Sequence, residues 1–544
     1  METIAAALVL LVAVVISSSV VRAAPFALPL PLVQIALGAL IASVADLGVR
    51  LQPEIFFLLF LPPLLFLDGW RIPKEGLFRD KNAILELALG LVVFTVVGLG
   101  FVINWMIPSI PLAVAFALAA VISPTDPVAV SSITARVPIP KRLMHILEGE
   151  SLLNDASGLV CMRFAVAAAL TGTFSLVEAS TTFLWVAIGG IAIGVGVTWI
   201  VTQVKNIVSK RLGEETGSQI LISLLIPFGA YLLAEHLECS GILAAVAAGI
   251  TMSYAEIGGQ LMAVTRVRRS AVWDTVQFAA NGVIFVILGE QLPGIIAGAA
   301  QTVRETGHHE PIWLLVYILA INIGLAALRF AWAYVSLRLT IFKATRRGAA
   351  FKVPIWRVTA AMSLAGVRGA VTLAGVLTLP LTMLDGTPFP ARDLAILLAA
   401  GVIILSLVAA SIGLPLVLQG IAVPPEHIER EREDEARVAA AEAAIKAIER
   451  TQHDLAAGRN DADLYADAGA RVMELYRQRI DGRSQTAEAA ELNRKVDEIE
   501  RKLRLAGLRA ERDAIYRSTR THKIDDETAR KIVREIDLTE ARFG

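Results

Sequence analysis

Cysteine is nearly absent: Cys161 and Cys239 are the only two in 544 residues, and both lie in apolar runs. That excludes a disulfide framework. Charge is scarce as well, at 18% of residues against 55% hydrophobic, with a mean hydropathy of +0.63. Soluble domains of this length need more charged surface. The 50 basic and 50 acidic residues cancel, so no basic field exists to bind nucleic acid. Histidine offers no metal cluster, since His308 and His309 share a loop while His145 and His236 are isolated. A GxxxxGK[ST] phosphate loop is missing, so nothing supports an ATP-driven pump.

The few charges are unevenly spread. Residues 1–420 hold 26 Lys+Arg and 23 Asp+Glu; residues 421–544 hold 24 and 27. The pattern predicts a transmembrane domain over 1–420 and a polar helical domain over 421–544. Apolar runs near the roughly 20 residues that a spanning helix needs recur through the first part. They are 3–20, 26–46, 53–69, 82–106, 111–136, 142–170, 178–204, 217–236, 239–255, 271–290, 311–338, 356–382 and 392–420. All are too continuous for transmembrane strands, which alternate. The first has no basic residue before it, only Glu2, and reads as an uncleaved span rather than a signal peptide. The fold class expected is an all-α polytopic membrane protein of about 13 spans.

Basic residues orient the spans. With the N-terminus outside, inner loops collect 20 of the 26 Lys and Arg, including Arg71, Lys74, Arg79, Lys81, Arg136, Lys141 and Arg142. Outer loops hold only Arg50, Arg304 and Arg392. An N-out, C-in topology follows, with the polar domain cytoplasmic.

Three residues of the 26 fall inside spans: Arg163, Arg329 and Arg368. Buried charge is expensive in a bilayer, so intramembrane ionisable groups are functional candidates. The fifth span contains Ser123-Pro124-Thr125-Asp126-Pro127. Its prolines predict a break whose freed carbonyls line an ion site; a kinked helix capped by Asp126 is the plainer alternative. In the sixth span, Ser151 shares a face with Asp155, and Glu150 with Asn154, at i,i+4 spacing. The twelfth holds Gly366-Val367-Arg368-Gly369-Ala370. An arginine there needs an anionic partner, and Glu150 and Asp155 are the candidates. Spans five and twelve, seven apart and both interrupted, suggest inverted repeats, spans 1–6 and 8–13, with the site between two broken helices. Asp68 near the inner end of the third span is either a site residue or an interfacial anchor. Arg163 and Arg329 pair internally or snorkel, and Asn281 is expected as packing glue.

These segments, together with Phe60-Leu61-Pro62-Pro63 and Asp68-Gly69-Trp70, resemble the sodium/proton exchangers of the electroneutral monovalent cation/proton antiporter branch. The resemblance covers about residues 1–420. It implies a dimerisation domain and a mobile core, homodimers, and alternating access. By the same resemblance, Asp155 is the carboxylate that binds ion and proton, with Thr125, Asp126 and Ser151 around the cation. Asp68 assists, and Glu150 with Arg368 forms a structural ion pair.

The residues alone support the chemistry. A hard monovalent cation takes oxygen ligands, and hydroxyls, carbonyls and carboxylates supply them. Burial favours the neutral form of a carboxylate and an adjacent cation favours the ionised form, so one site can hold a proton or Na+ but not both. Asn154 cannot titrate, which predicts one-for-one, electroneutral exchange. The function expected is Na+ (or Li+)/H+ antiport in the cell membrane, for pH and sodium homeostasis, with no enzymatic activity and no cofactor beyond the transported ions. K+/H+ antiport is the alternative, ahead of a cation channel or a transporter-derived sensor. In the tail, helices are expected over 427–457, 463–480, 485–518 and 525–541, as a regulatory domain or an inert appendage.

Overall fold

Lipid offers backbone N–H and C=O groups no partner, so a chain this apolar satisfies them within helices. The computed structural model describes residues 2–24, 28–44, 53–126, 130, 141–173, 176–257, 263–305, 312–345, 355–419, 427–457, 462–481, 487–521 and 523–541. Of the features singled out above, Pro127, Arg50, Arg136, His308 and His309 lie outside them, as do residues 485–486 of the third expected tail helix. The chain divides into two compact units, Met1–Val423 and Pro424–Gly544.

The first unit runs α1 (Glu2–Ala23), α2 (Leu30–Val44), α3 (Pro53–Arg71), a short α4 (Lys74–Arg79), then α5 (Lys81–Leu85). A π-turn over Glu86–Leu91 joins α5 to α6 (Val92–Met106). After these come α7 (Leu112–Ile122), α8 (Lys141–Thr171), α9 (Leu176–Leu212), α10 (Thr216–His236), α11 (Gly241–Ile257), α12 (Ala263–Glu305) and α13 (Ile312–Thr345). The unit ends with α14 (Ile355–Leu364), α15 (Ala370–Leu377) and α16 (Arg392–Leu418). Among the described residues, eight helices are long and apolar enough to cross a membrane. The expected single spans at 111–136 and 356–382 are interrupted. α7 stops at Ile122 before Pro124, and Ala365–Gly369 separates α14 from α15.

The helices sort into two groups. In one, α1, α2, α3 and α9–α12 pack on each other; in the other, α6, α7, α8 and α13–α16 do. The first group, called the scaffold below, is fastened by backbone contact. A Cβ on Gly69 of α3 would lie 2.5 Å from the carbonyl oxygen of Val246 on α11, and one on Gly249 of α11 would lie 2.8 Å from the backbone nitrogen of Trp70. Only glycine permits that approach. The second group, the core, buries a continuous apolar cluster running from Val92 through Val114–Ile122 to Leu394–Val402.

The second unit contains α17 (His427–Ala456), α18 (Ala462–Asp481), α19 (Ala487–Arg520) and α20 (Asp526–Glu540). α17 packs on α18 and α19 on α20. Arg512 of α19 ties down α20 through Asp537, at 2.7 Å, and Glu540. Asp525 caps α20 by accepting the backbone N–H of Thr528 at 3.0 Å. The Thr528 hydrogen bonds hold the Asp525 carboxyl below the usual carboxylate range.

Candidate functional site

Two interrupted segments meet in the first unit. The backbone N–H of Asp126 donates to the Val367 carbonyl at 2.7 Å, joining 123–126 to 365–369. Broken helices leave carbonyls unpaired at one end and N–H groups at the other. Arg368 serves the first need: its Nε donates to the Ile122 carbonyl at 2.8 Å, at the C-terminal end of α7, and Nη1 donates to the Gly366 carbonyl. Asp126 lies at the second. Its carboxylate presses on Gly369, just before α15, so closely that a Cβ there would overlap it. A cation thus sits at the negative pole of α7 and an anion at the positive pole of α15, each favourable by dipole. Ser406 Oγ of α16 accepts the Arg368 backbone N–H at 3.2 Å.

α8 lies alongside and supplies hydroxyl, amide and carboxylate from one stripe. Ser151 Oγ donates to the Thr125 carbonyl at 2.7 Å, and Asn154 Nδ2 donates to Thr125 Oγ1 at 3.0 Å. The buried Oδ1 of Asn154 has no hydrogen-bond partner. Asp155, one helical turn beyond Ser151, faces a cavity of about 50 Å³. Its walls include Thr125, Asp126, Ser151 and Asp155 from the core, and Asp68, Gln277 and Asn281 from the scaffold. Five of the eight site residues expected from sequence therefore share this one cavity: Asp68, Thr125, Asp126, Ser151 and Asp155. Asn154 stands behind it on Thr125. Among the described residues, no group of three or more His, Cys, Asp or Glu side chains could hold a resident metal. The cavity donors are hydroxyl, carbonyl and carboxylate oxygens, which suit a hard monovalent cation as cargo.

One expected pairing is corrected. Glu150 does not pair with Arg368; it takes Arg329 of α13 in a bidentate bridge, Nη1 to Oε1 at 2.5 Å and Nη2 to Oε2 at 2.6 Å. Both side chains are buried, and Arg329 Nε also donates to the Met362 carbonyl at 2.8 Å. The reason is that Arg368 finds backbone carbonyls at the two breaks, Ile122 at the end of α7 and Gly366 in its own segment, and does not need a carboxylate. Arg163 reaches Glu235 at 3.5 Å in a largely exposed pair, and neither lines the cavity. Asn281, read as packing glue, lines the cavity, and so do Gln277 and Thr372, which sequence reasoning missed. A signal existed for the amides: Gln277 and Asn281 stand one turn apart in an apolar helix.

Comparison with known proteins bears on the family and the fold. The family profile "Sodium/hydrogen exchanger, transmembrane" matches residues 7–420. The chain is 42% identical over 547 residues to the uncharacterized Na+/H+ exchanger YjcE of Escherichia coli K12, covering 99% of each. It is 43% identical to the sodium, potassium, lithium and rubidium/H+ antiporter of Bacillus subtilis, over 77% of this chain and 62% of that one. In fold, it resembles the sodium proton antiporter MjNhaP1 of Methanocaldococcus jannaschii, with a TM-score of 0.59 at 18% identity, over 77% of this chain and 99% of that one. A profile match over most of the chain and a full-length relative above 40% identity lead to one conclusion: this chain belongs to the sodium/hydrogen exchanger family of multi-pass membrane transporters.

Proposed function

We propose that this protein exchanges Na+ or Li+ for H+, one for one, by alternating access, with Asp155 as the shared carboxylate. The observation that carries the reading is the cavity itself. Asp155 and Asp126 from the core and Asp68 from the scaffold line one small space between two separately packed helix groups. When Asp155 holds a proton it is neutral; when it holds a cation, with Thr125, Ser151 and Asp126 near, the charge is compensated again. The empty, ionised state is the one that is too costly to move through the bilayer. Core sliding against scaffold would then carry either load but not neither. Glu150 is already neutralised by Arg329 and Asn154 cannot titrate, so neither adds a proton to the cycle.

The reading places the protein in the cell membrane as a homodimer, with the N-terminus outside and residues 421–544 cytoplasmic, serving pH and sodium homeostasis. K+/H+ exchange is a second reading, favoured by the breadth of the Bacillus subtilis relative, an antiporter of potassium and rubidium as well as sodium and lithium. Both are separated by one experiment: proton flux in sealed vesicles containing the protein, with Na+, Li+ and K+ added in turn. A response to Na+ and Li+ alone supports the first reading, a response to K+ as well supports the second, and no cation-driven flux refutes both.

A further inference from the structure

The cavity has one wall that the exchange cycle above does not use. Gln277 of α12 lines it, and its amide oxygen is held from outside. Arg71, three residues after Asp68 at the end of α3, donates Nη1 to Gln277 Oε1 at 2.9 Å. Its Nη2 is fixed by Asp274, one turn before Gln277 on α12, at 2.5 Å. An amide has one acceptor end and one donor end. A guanidinium donates only, so it can take only the oxygen of Gln277. With the oxygen so engaged, Nε2 is the end of the amide left for other partners, and Asp68, Asp126 and Asp155 line the same cavity as Gln277. A cation cannot be ligated by an amide N–H, whereas a carboxylate can accept from one.

We propose that Arg71 is a positioning residue for ion selection. By claiming the Gln277 carbonyl, it withholds a neutral oxygen ligand from the transported cation and presents N–H donors to the site carboxylates instead. The inference rests on the cavity being the transport site. Asp274 completes the device by holding the fork of Arg71 in the orientation that reaches Gln277. The consequence is a site kept short by one oxygen, in which the cation is bound weakly enough to be released. With Arg71 gone, the amide can turn, and its oxygen enters the coordination sphere without adding charge or a proton.

The test is a double-mutant cycle on cation-driven proton flux in proteoliposomes, with Arg71→Ala, Gln277→Leu and the pair, each assayed with Na+, Li+ and K+. Arg71→Ala should lower the apparent KM for Na+ by about three- to tenfold, the size of one ligand interaction. It should also change the ratio of KM values among the three cations. In the Gln277→Leu background the same change should shift neither, because no amide remains to turn. Equal shifts in both backgrounds would show that Arg71 acts by charge alone and would overturn the proposal; so would an unchanged KM in the single variant. If Arg71→Ala no longer transports, the rise in melting temperature of the purified protein with added Na+ supplies the same comparison of affinities. Asp155→Asn is assayed alongside. Normal exchange by that variant refutes the site itself, whereas its loss together with additive Arg71 and Gln277 effects refutes only the positioning role.

Discussion

The Glu150–Arg329 bridge gives the sharpest stability prediction. Substituting Glu150→Ala leaves a guanidinium that is 5% exposed, with two donors aimed at nothing and only the Met362 carbonyl still bonded to Nε. Substituting Arg329→Ala leaves a carboxylate that is 1% exposed with both oxygens unpaired. Breaking one side of a buried pair typically costs about 3–5 kcal/mol, because the surviving charge has lost its partner and cannot regain water. The double variant removes both charges together, so it should cost less than the two single losses summed, by about 2–3 kcal/mol for groups that meet bidentately. Thermal unfolding of the four detergent-purified proteins, followed by tryptophan fluorescence, reads the cycle. The control is the cycle of Glu150→Ala with Arg368→Ala. Arg368 is bonded to the Ile122 and Gly366 carbonyls, so its coupling to Glu150 should be clearly smaller. Additive losses for Glu150 and Arg329, or equal coupling of Glu150 to both arginines, would refute the assignment of partners.

Asp155→Asn should abolish cation-driven proton movement while insertion and fold are retained, since the amide is nearly isosteric; normal flux in reconstituted vesicles would exclude Asp155 as the exchanging group. With Asn154 neutral, the potential should not move the point at which net exchange stops. A shift between zero and −100 mV, clamped with K+ and valinomycin, would mean a net charge moves, worth about 2.3 kcal/mol per charge. Gly369→Ala should lose transport and lower the melting temperature, because its Cβ has no room beside the Asp126 carboxylate, whereas Gly196→Ala on α9 meets nothing within 4 Å and should be tolerated or slightly stabilising. Arg163→Ala should change stability by at most about 1 kcal/mol, since the 3.5 Å bridge to Glu235 is exposed; a loss of several would show that it is not the surface pair it looks like.

Much of this was legible from the chain. Apolar runs are long and uniform enough to announce helices, and proline at 124 and the glycines around Arg368 announce the interruptions. The residues that share the cavity could be nominated singly because each is a charge or hydroxyl where lipid depth makes it expensive. Pairing could not be read the same way. Three arginines and several acids stand inside spans, and choosing partners requires the distance between helices that are hundreds of positions apart in sequence: Glu150 and Arg329 are separated by 179 residues. The residues alone leave Glu150 and Asp155 both open as partners of Arg368, and only the family resemblance selects Glu150; an arginine satisfied by the carbonyls of a broken helix leaves no mark in composition. The amide wall of α12 was missed for a related reason, since Gln and Asn in a span are as compatible with interhelical hydrogen bonds as with a solvated cavity.

The glycine contacts between α3 and α11 bear on how this chain can change over generations. Gly69 and Gly249 each face a backbone on the opposite helix, so the two helices are registered to one another at the level of single residues. An α-helix turns by about 100° per residue. Inserting or deleting one residue in either helix would therefore swing its glycine out of the contact and bring a side chain into a gap that has no space for one. In α3 it would also rotate Asp68, one position before Gly69, away from the cavity. Within α3, substitution is open to selection but change of length is not. Any drift in length has to be taken up in the connecting segments, and α3 and α11 are expected to keep their residue count among relatives whose loops differ freely.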